Sequence, residues 1–133
     1  MYPKFYVKPS GPAKSFHENS GDKGRRWEKL AADRLRSSGY EILERNYRNR
    51  FGEIDIIAKD GPVLVFVEVK GRQDSRRGFA EETVDRRKQL RICRCAADYI
   101  RRFFGTADIP VRFDVIVFYP DHMRHIPAAF DYI

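Results

Sequence analysis

The chain has 133 residues, of which 42% are hydrophobic, so it is long enough for one domain and apolar enough to bury a core. Its formal net charge of +7 favours a polyanionic partner, although such a charge also serves solubility. Cys93 and Cys95 are too few for a disulfide framework or a zinc site, and no apolar run reaches the roughly 18 to 20 residues of a membrane span. We therefore expect a cytoplasmic protein that does not enter a membrane.

Residues 1–22 are predicted to form a flexible arm that a partner could order. The segment carries Pro3, Pro9 and Pro12 among scattered polar residues, and it lacks the apolar core of a signal peptide. Residues 23–133 are expected to form a single domain.

The secondary-structure elements predicted after the arm follow the order helix, three strands, helix, strand. Gly39 is a stop signal for the first helix, and Asp60-Gly61 is a turn signal that joins the second and third strands as a hairpin. The order predicts an α/β fold with a mixed central sheet flanked by helices. The predicted ranges are a helix at 23–38, strands at 40–47, 53–59 and 63–70, a polar loop at 71–82, a helix at 83–104, a strand at 112–119 and a terminal turn at 126–130.

Residues 52–70, with the sequence GEIDIIAKDGPVLVFVEVK, carry three acids and a lysine at matched spacing on two apolar strands. Buried strands do not accept charge for packing reasons alone. Because side chains alternate along a strand, the register that the turn implies collects four charged side chains on one face. These residues are Glu53, Asp55, Glu68 and Lys70.

In that register Glu53 is opposite Glu68, and Asp55 is opposite Phe66 and diagonal to Glu68. Two carboxylates about 5 Å apart repel each other by ~3 kcal/mol at an effective dielectric of about 20, and one lysine cannot neutralise three acids. A divalent cation could do so, and clustered oxygen ligands suit Mg²⁺ or Mn²⁺. The alternative is that the acids pair with arginines on an exposed face, and for Glu53 the two interpretations are equally favoured.

Glu28 falls near the centre of the apolar stripe of the first helix, which is formed by Trp27, Ala31, Ala32 and Leu35. A glutamate in a core-facing stripe needs a partner. It either reaches the acidic site on the hairpin or belongs to an ion pair near the helix start, where the helix dipole tolerates acids. Both interpretations stay open at this point.

Asp followed by Glu-x-Lys on the neighbouring strand is an arrangement that nucleases use. Asp55 and Glu68 would bind Mg²⁺ or Mn²⁺, with the backbone carbonyl of Val69 as a third ligand. Glu28 would hold a water on that ion or a second ion. Lys70 would position or deprotonate the attacking water, or stabilise charge on the phosphoryl group.

Four segments of the chain resemble the YraN-type bacterial family of predicted endonucleases. They are GRRWEKLAADRLRSSGYEILERNYR, GEIDIIA, VFVEVKGR and RFDVIVFY, within residues 21–130. That family belongs to the restriction-endonuclease-like superfamily and is similar to archaeal Holliday-junction resolvases. The resemblance implies an αβββαβ core and a catalytic set of Glu28, Asp55, Glu68 and Lys70, whereas Glu53 belongs to the Gly-Glu-Ile-Asp motif but lies outside that set.

The second predicted helix has one apolar face, formed by Leu90, Cys93, Ala97, Ile100 and Phe104, and several basic ones. Its basic faces and the loop before it could follow a phosphate backbone, although they could also be a solvated helix surface. The residues predicted to contact nucleic acid are Arg72, Arg76, Arg77, Arg87, Lys88 and Arg91. No base-reading motif is present, so we expect recognition of DNA structure rather than sequence.

These patterns and the resemblance together predict a magnesium-dependent endonuclease that hydrolyses phosphodiester bonds in DNA. Branched or junction DNA is one candidate substrate, and a homodimer is one candidate assembly. One alternative is a non-catalytic nucleic-acid-binding module that keeps the nuclease fold. Another is a scaffold whose basic helix docks an acidic protein. Asp114 is expected to pair with an arginine rather than bind metal, and His17, His122 and His125 show no ligand spacing.

Overall fold

The computed structural model describes residues 20–72, 84–105 and 108–132, with side chains from residue 24 onwards. The predicted αβββαβ order is confirmed, and one further strand follows it. The elements are α1 (Ser20–Ser37), β1 (Glu41–Asn49), β2 (Gly52–Asp60), β3 (Val63–Gly71), α2 (Arg86–Phe104), β4 (Val111–Phe118) and β5 (Met123–Phe130). Helix α1 begins before the predicted Lys23, and most of the predicted arm at 1–22 lies outside the described residues.

The strands form one mixed sheet in the order β1-β2-β3-β4-β5. Only β3 and β4 pair in parallel, and the other three neighbouring pairs are antiparallel. A parallel pair needs a crossover connection, and α2 supplies it between β3 and β4. Within the described ranges, neither α1 nor α2 has the length and apolar character that a membrane-spanning helix requires.

The prediction of a terminal turn at 126–130 was wrong, because these residues belong to β5. This strand runs antiparallel to β4 and forms one edge of the sheet. It contains Pro127, which lacks an amide hydrogen and is therefore confined to edge strands or irregular positions. Ala128 has a φ of +52°, and the register shifts nearby, so the alternation that identifies a strand is weak here.

The turn of the β2–β3 hairpin lies one residue later than predicted. Gly61 and Pro62 form the turn, and Gly61 has a φ of +58°, in the left-handed region that glycine favours. The register therefore differs by two residues, and one step beyond its last pair, Ile56–Val67, it sets Asp55 opposite Glu68 rather than Phe66. Because side chains have a period of two, this shift keeps the predicted faces of the hairpin as far as Ile56, where the ladder ends.

Apolar cores cover both faces of the sheet. Helix α1 packs on one face through Ala31, Ala32 and Leu35, which contact a core that includes Ile56, Val65 and Val67. Helix α2 packs on the other face, where Tyr99 lies edge-on to the rings of Tyr47 and Phe66, with centroids 5.0 and 6.1 Å away. The two helices therefore approach the sheet from opposite sides.

Helix α2 is rotated about its axis relative to the prediction. Leu90 and Ala97 were placed on the apolar face, but both are exposed. The buried residues are instead Ile92, Cys93, Cys95, Ala96, Tyr99 and Phe104. Neither cysteine forms a disulfide within the described residues, and burial raises the pKa of Cys95 to about 12, so this thiol stays protonated.

Asp114 is fully buried in β4 and pairs with an arginine, as expected. The Nε of Arg112 donates to Oδ1 at 2.8 Å, and its Nη2 donates to Oδ2 at 2.9 Å. The ring of His125 lies 2.8 Å from Oδ2, and the backbone amide of Ala128 donates to Oδ1 at 3.0 Å. Burial opposes ionisation of Asp114, but these hydrogen bonds outweigh it and lower the pKa of its carboxyl.

Gly71, at the end of β3, lies against the indole ring of Trp27 in α1. A Cβ added at Gly71 would come within 1.9 Å of Trp27 Cη2. The same indole stacks on Phe118 of β4, with ring centroids 6.4 Å apart. This packing holds α1, and Glu28 with it, beside the end of β3 that carries Lys70.

We predict that Gly71→Ala lowers the free energy of unfolding by about 1 to 3 kcal/mol, the usual cost of forcing volume into a packed contact. Gly24→Ala is the matched control, because a Cβ there meets nothing within 4 Å and the position lies inside α1. It should raise the free energy of unfolding by about 0.5 to 1 kcal/mol. Urea denaturation followed by circular dichroism measures both changes, and equal effects would contradict the packing assigned to Trp27.

Candidate active site

Strand β2 departs from regular geometry at Asp55. Its ladder with β3 ends at the pair Ile56–Val67. Ile54 belongs to the α2 core and Ile56 to the α1 core, although residues two apart share one face of a regular strand. The strand pair therefore opens at Asp55, between the ends of β2 and β3.

The Asp55 carboxylate is held in this opening by the main chain of β3. The amide of Val69 donates a hydrogen bond to Asp55 Oδ2 at 2.8 Å. This amide lies beyond the last pair of the ladder. The carboxylate therefore accepts the hydrogen bond that a backbone carbonyl of the neighbouring strand would accept in a regular ladder. The partly buried side chain is consequently fixed to the strand that carries Glu68 and Lys70.

The electrostatic surroundings of Asp55 are unfavourable for its negative charge. Burial is the largest cause that raises the pKa of its carboxyl well above the usual value, and the charge of Glu68 is the next. The Val69 amide and the Lys88 ammonium act in the opposite direction, whereas Glu28 adds a third negative charge. A group of acids that repel one another attracts cations.

Glu68 is only 7% exposed and binds the ammonium of Lys88, which reaches it from the first turn of α2. Asp85 caps this helix, since its side chain accepts a hydrogen bond from the Lys88 amide at 3.0 Å. Burial lowers the pKa of Lys88, but the hydrogen bond and charge of Glu68 outweigh it and raise the pKa. Lys88, predicted as a phosphate contact, thus lies within the acidic cluster.

Lys70 follows Glu68 by two residues and so shares its face of β3. Burial is the main cause that lowers the pKa of Lys70, followed by the charge of Arg72, and the nearby Glu68 only partly offsets them. A lysine with a lowered pKa exchanges its proton more readily, which suits acid–base chemistry. A cleft of about 470 Å³ opens here, lined by Glu68, Val69, Lys70, Arg72, Val84, Asp85 and Lys88.

The remaining acids of the prediction have different surroundings. Glu28, half-buried on α1, contributes to the raised pKa of Asp55, so α1 brings a carboxylate to the opening from the other face of the sheet. Glu53 is exposed and accepts a hydrogen bond from Arg48 at 2.8 Å. Glu53 therefore forms the exposed arginine pair that the sequence had left open.

Those predicted nucleic-acid contacts that belong to the described residues lie beside the acidic cluster. Arg72 lines the cleft at Lys70, and Arg87 and Arg91 are exposed on α2. A second cleft of about 770 Å³ is lined by Asp85, Arg86, Arg87, Leu90 and Arg91. Asp85 lines both clefts, so the basic surface adjoins the acidic one. Arg76 and Arg77 lie outside the described residues.

The oxygen donors at the opening fit a small divalent cation. In residues 20–72, 84–105 and 108–132, no three His, Cys, Asp or Glu side chains converge closely enough to hold a metal ion by themselves. Mg²⁺, however, is usually held by one or two carboxylates together with water and substrate phosphate oxygens. Asp55 and Glu68 provide two such carboxylates, and Glu28 adds negative charge.

We predict that Asp55→Asn raises the free energy of unfolding at pH 7 by about 1 kcal/mol or more, because the ionised carboxylate is unfavourable in the folded protein. Asparagine keeps an oxygen that can accept the Val69 hydrogen bond. Since the folded pKa is raised, the gain should be largest above that raised pKa and shrink as acid protonates the wild-type carboxyl. It should become constant below pH 3.8, the ordinary value of the group.

Glu53→Gln is the control for Asp55→Asn, because it removes the same charge from an exposed position on the same strand. It should change the free energy of unfolding by less than about 0.5 kcal/mol at every pH. Denaturant titrations between about pH 3 and pH 8 provide both curves. A loss of stability in Asp55→Asn at pH 7 would contradict the repulsion assigned to this site.

Known proteins match most of the chain. A family model described as "Uncharacterised protein family UPF0102" matches residues 27–118, from α1 to the end of β4. A UPF0102 protein of Persephonella marina is 44% identical over 112 residues, which cover 82% of this chain and 93% of the relative. Another, from Thermodesulfovibrio yellowstonii, is 46% identical over 107 residues and covers 80% of this chain and 94% of the relative.

A solved structure is also similar. It is Hjc of Archaeoglobus fulgidus, described as a Holliday junction resolvase from an archaeal hyperthermophile. It aligns with a TM-score of 0.49 and 18% identity, covering 78% of this chain and 76% of that chain.

Proposed function

The chain belongs to the UPF0102 family, and we propose that it is a divalent-metal-dependent nuclease that hydrolyses phosphodiester bonds in DNA. The observation that carries this proposal is the opening of the β2–β3 hairpin at Asp55. Its carboxylate is bound to the strand that carries Glu68 and Lys70, within reach of the charge of Glu28. Carboxylates for a hard cation beside a lysine of lowered pKa are groups that suit metal-assisted hydrolysis of a phosphodiester.

Asp55 and Glu68 would hold the ion, and the carbonyl of Val69 and the carboxylate of Glu28 are further oxygen donors. When bound, such an ion supplies positive charge that stabilises the negative charge developing on the phosphoryl group. The Val69 amide keeps Asp55 in place before any ion arrives, which lowers the cost of organising the site.

Lys70 acts on the reacting groups directly. Burial and the charge of Arg72 lower the pKa of its ammonium, so it can accept a proton from the attacking water more readily than an exposed lysine. In its charged form it stabilises the phosphoryl oxygens. Its position two residues after Glu68 keeps both tasks beside the bound ion.

The basic surface of α2 would guide the DNA backbone to these residues. Arg86, Arg87 and Arg91 line the cleft that shares Asp85 with the cleft at Lys70. Phosphate contacts of this kind position a nucleic acid without reading its sequence. We further propose that the protein is a homodimer that selects branched or junction DNA, because a homodimer would present two active sites related by symmetry.

We predict that Lys70→Met lowers the rate of DNA cleavage by about 100-fold or more, as expected for loss of an acid–base group. Asp55→Asn and Glu68→Gln should also abolish most of the activity, because each removes a carboxylate for the ion. The assay uses labelled duplex, single-stranded and four-way-junction DNA with Mg²⁺ or Mn²⁺, and a chelator should stop it.

Glu53→Gln serves as the active control in this assay, because Glu53 pairs with Arg48 on the surface. Equal activity in wild type, Lys70→Met and Asp55→Asn would defeat the assignment of residues. Salt-dependent DNA binding without cleavage by any metal-loaded sample would identify a non-catalytic binding module. Absence of DNA binding at moderate salt would instead favour a protein-interaction scaffold.

We predict that Arg87→Ala and Arg91→Ala each weaken binding to duplex DNA and reduce the slope of log K against log salt by about 0.9 for each lost phosphate contact. Arg34→Ala removes the same charge from an exposed position on α1, over the opposite face of the sheet, and should leave the slope unchanged. Fluorescence anisotropy in chelator measures the slopes without cleavage. The same decrease in all three variants would assign binding to net charge alone.

A further inference from the structure

Asn46, in the middle of β1, has a left-handed backbone conformation. Its φ is +55°, and the only other described non-glycine residue with a positive φ is Ala128. Left-handed residues are rare inside strands and strain most side chains. Asparagine is the non-glycine residue that tolerates the conformation best, so the residue type matches the backbone.

Asn46 of β1 and Asp55 of β2 both fall between two consecutive pairs of the ladder, and the strand pair changes faces at this step. The flanking pairs are Arg45–Ile56 and Tyr47–Ile54. Ile56 packs in the α1 core, whereas Tyr47 and Ile54 both pack in the α2 core. The left-handed residue therefore coincides with the step at which β2 leaves regular alternation.

The Asn46 side chain carries a buried donor without a partner among the described residues. Its Nδ2 atom is buried and finds no hydrogen-bond acceptor within the described part of the chain. A buried donor of this kind costs about 1 to 3 kcal/mol. Such local costs occur where a backbone conformation serves a functional site.

We propose that Asn46 is a positioning residue of the candidate active site, and that its left-handed backbone turns the Asp55 carboxylate into the opening beside Val69 and Glu68. The inference rests on the proposed function for its consequence in metal binding. The effect of Asn46 on the position of the Asp55 carboxylate is inferred from the geometry of β1 and β2 alone. A residue that prefers the extended conformation would keep the pair regular and move the Asp55 carboxylate away from Val69.

The Val69 amide reports the position of Asp55 independently of any nuclease activity, because it donates its hydrogen bond to that carboxylate. Asn46→Gly keeps access to the left-handed conformation and removes the side chain, whereas Asn46→Val disfavours the conformation. In hydrogen exchange followed by NMR, we expect Val69 to stay protected in Asn46→Gly. Its exchange should accelerate by about tenfold in Asn46→Val, relative to other β3 amides, and approach that of Asp55→Ala.

Two further variants control for instability. Asn46→Ala imposes a milder backbone penalty than Asn46→Val, so it can be measured if Asn46→Val does not fold. It should also accelerate exchange of the Val69 amide. Ala128→Val introduces strain at the other left-handed position, in β5, and should not change the protection of Val69 relative to its neighbours. Selective exposure of Val69 in Ala128→Val would overturn the inference, because general destabilisation would then explain the effect.

Calorimetric titration with Mn²⁺ separates this inference from the proposed function. We expect Asn46→Val to weaken Mn²⁺ binding by about tenfold or more, as loss of a supporting residue does, and Asn46→Gly to bind like the wild type. If Val69 responds as expected but the wild type binds no Mn²⁺, the nuclease proposal fails and the positioning role stands. Loss of Val69 protection in Asn46→Gly, or its retention in both Asn46→Val and Asn46→Ala, overturns the positioning role.

Discussion

The candidate site depends on the hydrogen bond from the Val69 amide to the Asp55 carboxylate, 2.8 Å long, at the point where the β2–β3 ladder ends. Up to Ile56 the strands pair through their main chains, and beyond it a side chain takes over as the acceptor. An amide in this position needs an acceptor, so the carboxylate cannot leave without a cost to the strand. The fold of the hairpin and the position of a charged group are thereby coupled.

Because of the opening, charged side chains from both helices influence the same carboxylate, that of Asp55. In an unbroken sheet, side chains on opposite faces are separated by the backbone layer, and charges on them are remote from each other. Because β2 and β3 separate at Asp55, the carboxylate is influenced by Glu28 from α1 and by Lys88 from α2. Gly71 allows the Trp27 ring of α1 to approach the end of β3, and the Asp85 cap begins α2 beside Glu68.

The element order could be predicted, and a two-residue error in register does not change which side chains of the paired part of the hairpin share a face, because alternation has a period of two. The placement of Glu53 on the face of Glu68 assumed a regular strand, and β2 leaves regular alternation at Asp55. The orientation of α2 could not be predicted, because its buried side is set by contacts of Tyr99 with aromatic rings distant in the sequence. Strand β5 lacks the alternation of a core strand. The contact of Lys88 with Glu68 could not be predicted either, because it depends on how α2 packs against β3. The capping residue Asp85 indicates only where this helix begins.

Asp55 and Asp114 show why a local sequence pattern does not by itself distinguish a functional acid from a structural one. Both are aspartates between apolar residues of a strand, in Ile-Asp-Ile and Phe-Asp-Val. Around Asp114, Arg112, His125 and a backbone amide outweigh the cost of burial and lower the pKa of the carboxyl. Around Asp55, burial and neighbouring carboxylates outweigh one amide and one ammonium, and the pKa is raised. The charge of Asp114 is therefore compensated within the fold, whereas the charge of Asp55 is not, and this difference favours the β2–β3 opening as the candidate site.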